Sequence, residues 1–320
     1  MRVARFLEEA VEFDPVAVTI GNFDGVHIGH RRLLHEVLRS AEERAVAPAV
    51  LTFDPHPASI VAPQRASRLL TTPAERCALM ARAGIECALV LPFTKEMSRW
   101  TPEQFVERVL VKALRARVVV VGENFLFGHD QAGDTKVLSQ LGLRFGFETR
   151  IVPPVKFRGS VVSSSAIRRA VEAGHVSLAG RFLARPFSLE GPVVSGHGIG
   201  SKQTVPTLNL KTSAQVLPLA GVYMTRTSDL DVPGRRWKSI TNVGTRPTFG
   251  GGELTIETFL LDSFDAHPPA RMRVEFLERI RDERKFDSPA ALKAQIFRDV
   301  ARTQRFFARA QKWIHATSSD

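Results

Sequence analysis

Cysteine is almost missing from this 320-residue chain: there are two, Cys77 and Cys87, at no metal-type spacing and too few for a disulfide framework. They fit a reducing compartment and read as small buried residues, one in a helix and one in a strand. Long hydrophobic runs are missing too. No window approaches the roughly 18 unbroken apolar residues of a membrane-spanning helix. The opening MRVARFLEEAVEFD has acids where an export signal needs an apolar stretch. The expectation is a cytoplasmic protein with no membrane partner. Tyrosine occurs once, and the other aromatics are mainly Phe in apolar settings, which leaves no evident platform for stacked bases. Internal repeats and low-complexity segments are lacking.

Charge is what the chain does have, with 44 Lys and Arg against 33 Asp and Glu, a formal +11. Such a balance invites a nucleic-acid reading. Against it, acids interleave with the bases, as in RVEFLERIRDERKFD. A basic balance equally suits polyphosphate substrates. The expectation is therefore no nucleic-acid partner.

The length suits two domains of ordinary size. In the first half two periods alternate. Apolar strands are predicted over 16–20, 49–53, 87–93, 117–122 and 148–153. Helices are predicted over 30–45, 74–83, 102–114 and 135–143, with Pro73 well placed for a helix start. This alternation implies an α/β domain with a parallel sheet covered on both faces. A short helix over 164–174 precedes a change of character. From Phe187 onward come short β-like runs with Gly- and Pro-containing turns, the pattern of an antiparallel sheet or small barrel. A last helix over 289–313 closes the chain. The domain boundary is expected near Arg185, giving 1–185 and 186–320.

One stretch in the first half concentrates chemistry. VTIGNFDGVHIGHRRLL runs from the first strand through a glycine-bearing turn into a helix whose opening carries His27 and His30. Two histidines three apart can ligate a metal, but no third ligand accompanies them. They can also be buried structural residues. The setting favours an anion site, because free backbone N–H groups and the helix dipole gather there. Imidazoles beside it can donate to a triphosphate and stabilise charge as it builds up. Gly21, Gly25 and Gly29 would let a nucleotide approach the backbone closely.

The string His27-Ile28-Gly29-His30 resembles the HIGH signature of the nucleotidyltransferase superfamily. GNFDGVHIGH, FDPHP over 53–57, GENFLFG over 122–128 and SSSAIR over 163–168 together resemble the adenylyltransferase half of bacterial bifunctional riboflavin kinase/FAD synthetases. The resemblance covers about the first 180 residues and implies a Rossmann-like nucleotidyltransferase domain. It implies that His27 and His30 contact the ATP phosphates, with Gly21, Phe23, Gly25, Gly29 and Asn124 as further nucleotide-binding positions. Ser164, Ser165 and Arg168 would hold the triphosphate from the other side. Ser165 stands where the family often has Thr. SSSAIR also reads as a simple helix N-cap, which is compatible with phosphate binding. KEMSR over 95–99 is similar to the KMSKS loop of tRNA synthetases but lacks its second lysine, and reads as a surface turn.

In the second half GHGIGSKQTVPTLNL, NVGTRPTFGGGELTIETFLLD and RDERKFDSPAALKAQIFRD together resemble the riboflavin kinase domain, a small β-barrel. The resemblance implies that Gly200, Ser201 and Lys202 bind nucleotide. It implies that Thr207 and Asn209 hold Mg²⁺ and the ATP phosphates, and that Glu257 is the general base. On a strand, Thr255, Glu257 and Phe259 would share one face. The chain departs from the bacterial pattern at Gly200-Ser201-Lys202-Gln203-Thr204-Val205-Pro206-Thr207, where Ser201 replaces the usual Arg and Thr204 the usual Gly. The implied function is phosphorylation of riboflavin to FMN, then adenylylation of FMN to FAD, with ATP as co-substrate and Mg²⁺ required. Riboflavin, FMN and ATP are the implied partners, and no oligomeric state is specified. Two alternatives stay open: an FAD synthetase with an impaired kinase domain, and a flavin-binding regulator without turnover.

Overall fold

The computed structural model describes residues 1–194, 207–248, 251–262 and 268–317. Gly200, Ser201 and Lys202, expected to bind nucleotide, lie outside the described residues. The chain divides into two compact units, Met1–Ala166 and Ile167–Asp320.

The first unit is a six-stranded sheet of β1 (Arg2–Ala4), β2 (Val16–Ile20), β3 (Ala47–Phe53), β4 (Cys87–Leu91), β5 (Val118–Gly122) and β6 (Glu148–Val152). Every pairing is parallel, in the order β1-β4-β3-β2-β5-β6. Around it run α1 (Leu7–Ala10), α2 (Ile28–Arg44), α3 (Pro57–Val61), α4 (Pro73–Arg82), α5 (Pro102–Phe105), which continues in wider turns over Val106–Ala113, and α6 (Thr135–Phe145). A hairpin of β7 (Lys156–Phe157) and β8 (Ser160–Val161) leads to α7 (Ser164–Glu172).

The central strands read as continuous apolar runs because both faces are covered. Val18, Ile20, Leu51, Leu89 and Val119 pack with Phe105, Val109, Leu110 and Leu138. Their neighbours along the strands, Ala17, Val50, Ala88 and Val120, meet Leu34, Val37 and Ala41 of α2 and Met80 of α4. Helix α4 opens as Thr72 and Pro73 predict. The Thr72 hydroxyl accepts from the Glu75 N–H at 3.2 Å, and the Glu75 carboxylate accepts from the Thr72 N–H at 2.6 Å. At three residues, β1 is too short for periodicity to mark. The 97–99 segment is a single 3₁₀ turn that buries Met97 rather than a fully exposed turn.

The second unit contains α8 (Val176–Leu183) and the strands β9 (Phe187–Val194), β10 (Leu208–Leu210), β11 (Gly221–Asp229), β12 (Arg236–Thr248), β13 (Gly251–Leu260) and β14 (Arg271–Arg281). They close an antiparallel barrel in the order β10-β13-β12-β11-β14-β9. Helix α9 (Pro289–Thr317) comes last. The division between compact units falls before the change of pattern near Arg185, because α8 packs on β14 and β9.

The barrel holds a buried chain of hydroxyls. Thr227, Ser239, Thr225, Thr241 and Thr258 are each fully buried and linked in that order by bonds of 2.8, 2.8, 2.8 and 2.9 Å. A hydroxyl is both donor and acceptor, so five can satisfy one another without water, and each bond polarises the next. Among the described residues no helix is long and apolar enough to cross a membrane.

Thr225 sits mid-chain, bonded to Ser239 and Thr241. Thr225→Val keeps the shape and removes both bonds. It should lower the unfolding free energy of the barrel by about 1–3 kcal/mol in a urea titration; an unchanged midpoint would show that the hydroxyl chain is dispensable.

Candidate functional site

Strands β2 and β5 lie side by side, yet β2 leads away to β3 and β5 to β6 on the opposite side. This is the switch point of the sheet, where a crevice opens beyond the strand ends. The turn from Gly21 to His27 leaves β2 at that edge, and Asn124 comes after β5 there, exposed.

The turn is tight. Phe23, Gly25 and Val26 have φ of 49°, 80° and 41°, a left-handed conformation that non-glycine residues rarely adopt. Asp24 holds it. Its buried carboxylate accepts from the Leu70 N–H at 2.9 Å, the Thr71 N–H at 3.0 Å and the Thr71 hydroxyl at 3.1 Å. That hydroxyl in turn accepts from the Gly25 N–H at 2.9 Å. The Ser164 hydroxyl donates to the Asp24 carbonyl at 2.9 Å, tying the start of α7 to the same turn. From α4, an Arg76 guanidinium N–H donates to the Asn22 carbonyl at 2.7 Å.

On this base stand the two imidazoles. His27 caps α2, its Nδ1 accepting from the His30 N–H at 3.2 Å, which puts the ring proton of neutral His27 on Nε2. The rings of His27 and His30 stack with centroids 3.6 Å apart and planes 13° from parallel. Burial, then His27, then Arg76 hold the His30 imidazole well below the usual histidine range, so it is uncharged at neutral pH. Its Nδ1 is buried without a protein partner. Gly29 keeps this arrangement open, since a Cβ there would begin 3.0 Å from His27 Cε1.

Of the positions expected to bind nucleotide, His27, His30, Gly21, Gly25 and Gly29 share this turn. Ser163, not Ser164, caps α7, accepting from the Ala166 N–H at 3.2 Å. Ser165 is exposed on the first turn, and Arg168 lies one turn further on the same helix. Phe23 lies in the Gly21–His27 turn, its ring fully buried and edge-on to His30 with centroids 5.2 Å apart, on a backbone of left-handed φ. Sequence reasoning missed the Asp24 clamp and Arg76. A charged residue one helical turn before Met80, on the inward face of α4, was the available signal for Arg76.

The second unit carries its own constellation. Asn209 on β10 and Asn242 on β12 both stand opposite Glu257 on β13, so the three form a row across neighbouring strands. Ile256, Thr258 and Leu260 are buried while Glu257 and Phe259 line a cavity of about 390 Å³, as the strand alternation predicts. Thr207, Asn242 and Glu283 also line it, with Val222, Ile240 and Leu292 as apolar wall. Asn242 donates to the Glu283 carboxylate at 3.2 Å. Glu283 lies against Gly244, where any Cβ would collide with it. Arg281 joins Asp299 of α9 at 2.9 Å, fixing the helix that closes the cavity. Sequence reasoning reached Thr207, Asn209 and Glu257 and missed Asn242 and Glu283, although both fall within flagged segments.

Among the described residues no group of three or more His, Cys, Asp or Glu side chains could hold a metal by itself. Thr207 and Asn209 offer a hydroxyl and an amide oxygen. These hard donors fit Mg²⁺ shared with phosphate groups, since the ion takes few protein ligands.

A parallel-sheet unit with paired imidazoles at its switch point, followed by a barrel with a polar row beside a half-apolar cavity, defines a two-domain transferase. The family model for FAD synthetase matches residues 10–166, and that for riboflavin kinase matches residues 183–307. The bifunctional riboflavin kinase/FMN adenylyltransferase of Pseudomonas fluorescens is 35% identical over 284 residues, 88% of this chain and 90% of that protein. Its counterpart in Escherichia coli K12 is 34% identical over 293 residues, 91% and 92% of the two chains. A crystal structure described as a macrolide-efflux protein from Streptococcus pneumoniae matches with a TM-score of 0.86 and 28% identity, covering 95% of this chain and 99% of that one. The chain belongs to the bifunctional riboflavin kinase/FMN adenylyltransferase family. Its FAD synthetase domain is N-terminal and its riboflavin kinase domain C-terminal.

A histidine in the unfolded chain titrates near about 6.5, whereas folded His30 resists protonation until well below it. As pH falls through that window the unfolded state gains a proton that the native state refuses, so stability present above it is lost. Between pH of about 7.5 and about 5.5, the drop in unfolding midpoint should be smaller for His30→Gln than for wild type. Equal drops would assign the titration elsewhere.

Proposed function

We propose that the barrel unit transfers the γ-phosphoryl group of ATP to riboflavin, and that the parallel-sheet unit transfers the adenylyl group of a second ATP to the FMN produced. In functional terms the two domains are 1–185 and 186–320. The observation that carries the reading is that each compact unit holds its own constellation, His27 stacked on His30 in one and the Asn209–Glu257–Asn242 row in the other.

In the kinase step the apolar wall of Val222, Ile240 and Leu292 suits the flavin ring, leaving the ribityl chain toward Glu257. Glu257 takes the proton of the 5′-hydroxyl as its oxygen attacks the γ-phosphorus, and ADP leaves. Thr207 and Asn209 would hold Mg²⁺ with the ATP phosphates, an ion that draws negative charge off the oxygens as it builds up. Gly200, Ser201 and Lys202 complete the nucleotide contacts by resemblance.

In the adenylyl-transfer step a phosphate oxygen of FMN attacks the α-phosphorus of ATP, and pyrophosphate leaves. No protein nucleophile is needed; positioning and charge stabilisation supply the rate. His27 and His30 donate to the phosphates as charge gathers on the leaving group. The glycines of the turn and of the first turn of α2 let the triphosphate come close to the backbone, and Asn124 holds the nucleotide from the β5 side. Ser164, Ser165 and Arg168 contribute from α7. The interleaved charge and the free thiols of Cys77 and Cys87 support a cytoplasmic enzyme of small molecules, without nucleic acid or membrane as partner.

A chromatographic time course of the purified protein with riboflavin or FMN and ATP tests both assignments. His27→Ala should slow FAD formation by about 100-fold or more while FMN formation persists. Glu257→Ala should slow FMN formation by about 100-fold or more, with FAD still made from supplied FMN. A folded variant that lost both steps together would overturn the two-site reading.

A further inference from the structure

Arg76 is 1% exposed, the one Lys or Arg with less than a tenth of its surface open among the described residues. An arginine side chain is a cation with five N–H donors and no acceptor. One nitrogen donates to the Asn22 carbonyl, at 2.7 Å, and the acceptor is neutral. Nε and the second terminal nitrogen are buried and meet no acceptor. Among the described residues no carboxylate lies at ion-pair distance. Asp24, the acid of the same turn, already serves donors at Leu70 and Thr71. A buried cation with neither counter-charge nor full hydrogen bonding is strongly unfavourable, and buried donors without acceptors are rare in native proteins. The fold nonetheless carries one, directly under the phosphate-facing turn.

A second orphan sits beside it. The buried Nδ1 of His30 also lacks a partner, and Arg76 acts electrostatically on that ring. Arg76 is thereby tied by a hydrogen bond to Asn22 and by its charge to His30, the two ends of the stretch on which the adenylyl-transfer reading places the triphosphate.

We propose that Arg76 is a positioning residue for the nucleoside triphosphate of the adenylyl-transfer step: it fixes the Asn22 carbonyl, and its buried positive charge is matched by the polyphosphate bound over the turn. The proposal rests on assigning that step to the His27 and His30 site. Arg76 is set apart from an ordinary core residue by the sign of its two effects. In the ligand-free protein its unpaired charge works against folding, whereas with polyphosphate bound it works for affinity.

Arg76→Met keeps the volume and removes the charge. In the full chain its thermal midpoint without nucleotide should equal or exceed that of wild type. Its KM for ATP in the conversion of FMN to FAD should rise about tenfold or more, the effect expected for losing a charged partner. The KM for ATP in the conversion of riboflavin to FMN should stay unchanged, because that reaction belongs to the other unit. Arg76→Lys restores the charge and should return the KM for FAD formation to within about threefold of wild type. An unchanged KM in Arg76→Met overturns the proposal. So does a raised KM with a lowered midpoint that lysine fails to rescue, which is the signature of structural support alone. Should Arg76→Met fail to fold, Arg76→Lys decides by itself, since a tenfold rise in KM with the charge retained would also overturn it. His27→Ala runs in parallel: if it leaves FAD formation intact, the site assignment has failed, whereas its loss beside a silent Arg76→Met rejects this inference alone.

Discussion

The carboxylate of Asp24 is the fixed point of the N-terminal unit. It draws the 70–71 segment against the Gly21–His27 turn through the Leu70 and Thr71 amides and the Thr71 hydroxyl, which itself accepts from Gly25. Without that anchor there is little to hold Phe23 and Val26 in a left-handed backbone. The side chains on either side of it take their places from this clamp. Phe23 turns inward, His27 reaches the cap of α2, and His30 lies flat against His27. The strain of the turn is local, while the bonds that hold it come from three other places in the sequence: the 70–71 segment, α4 and α7.

The two units gather their polar groups by different means. In the parallel-sheet unit, backbone N–H groups and two stacked imidazoles gather at a helix N-terminus beyond the strand ends. In the barrel, strand register places an amide on each side of one carboxylate. The first arrangement is precise because it is crowded; the second is precise because strands have a period of two. That carboxylate stands between two neutral amides, and a second acid, Glu283, lines the same cavity and accepts from Asn242.

Much of this was legible in the sequence, for reasons that differ from place to place. Strand β2 announces itself as a short apolar run and helix α2 by the helical spacing of its apolar residues, and His27 and His30 fall where the one gives way to the other. Thr72 and Pro73 mark the start of α4 through local chemistry alone. The alternation of Thr255, Glu257 and Phe259 against Ile256 and Thr258 comes from the pleat. Arg76 left only a faint signal, its place on the inward face of α4 one turn before Met80, since an arginine on a helix is ordinarily a solvated one and the tertiary structure seals it. Asn242 became visible only through its register with Glu257, a pairing between distant strands. The burial of the Phe23 ring was not legible, because the sign of its φ is set by the contacts of the turn and not by Phe itself.

The barrel's hydroxyl chain and its polar row occupy alternate positions on the same strands. Thr258 belongs to the chain and Glu257 to the row; Thr241 and Asn242 repeat the pattern on β12. A strand paired one residue out of step would drive the Glu257 carboxylate into the sealed interior and turn a hydroxyl outward. A register that takes Glu257 out of its row is thereby also an unstable one. Misassembled barrels would be culled by their own energetics, so the molecules that persist in solution are those whose Glu257 already lines the cavity.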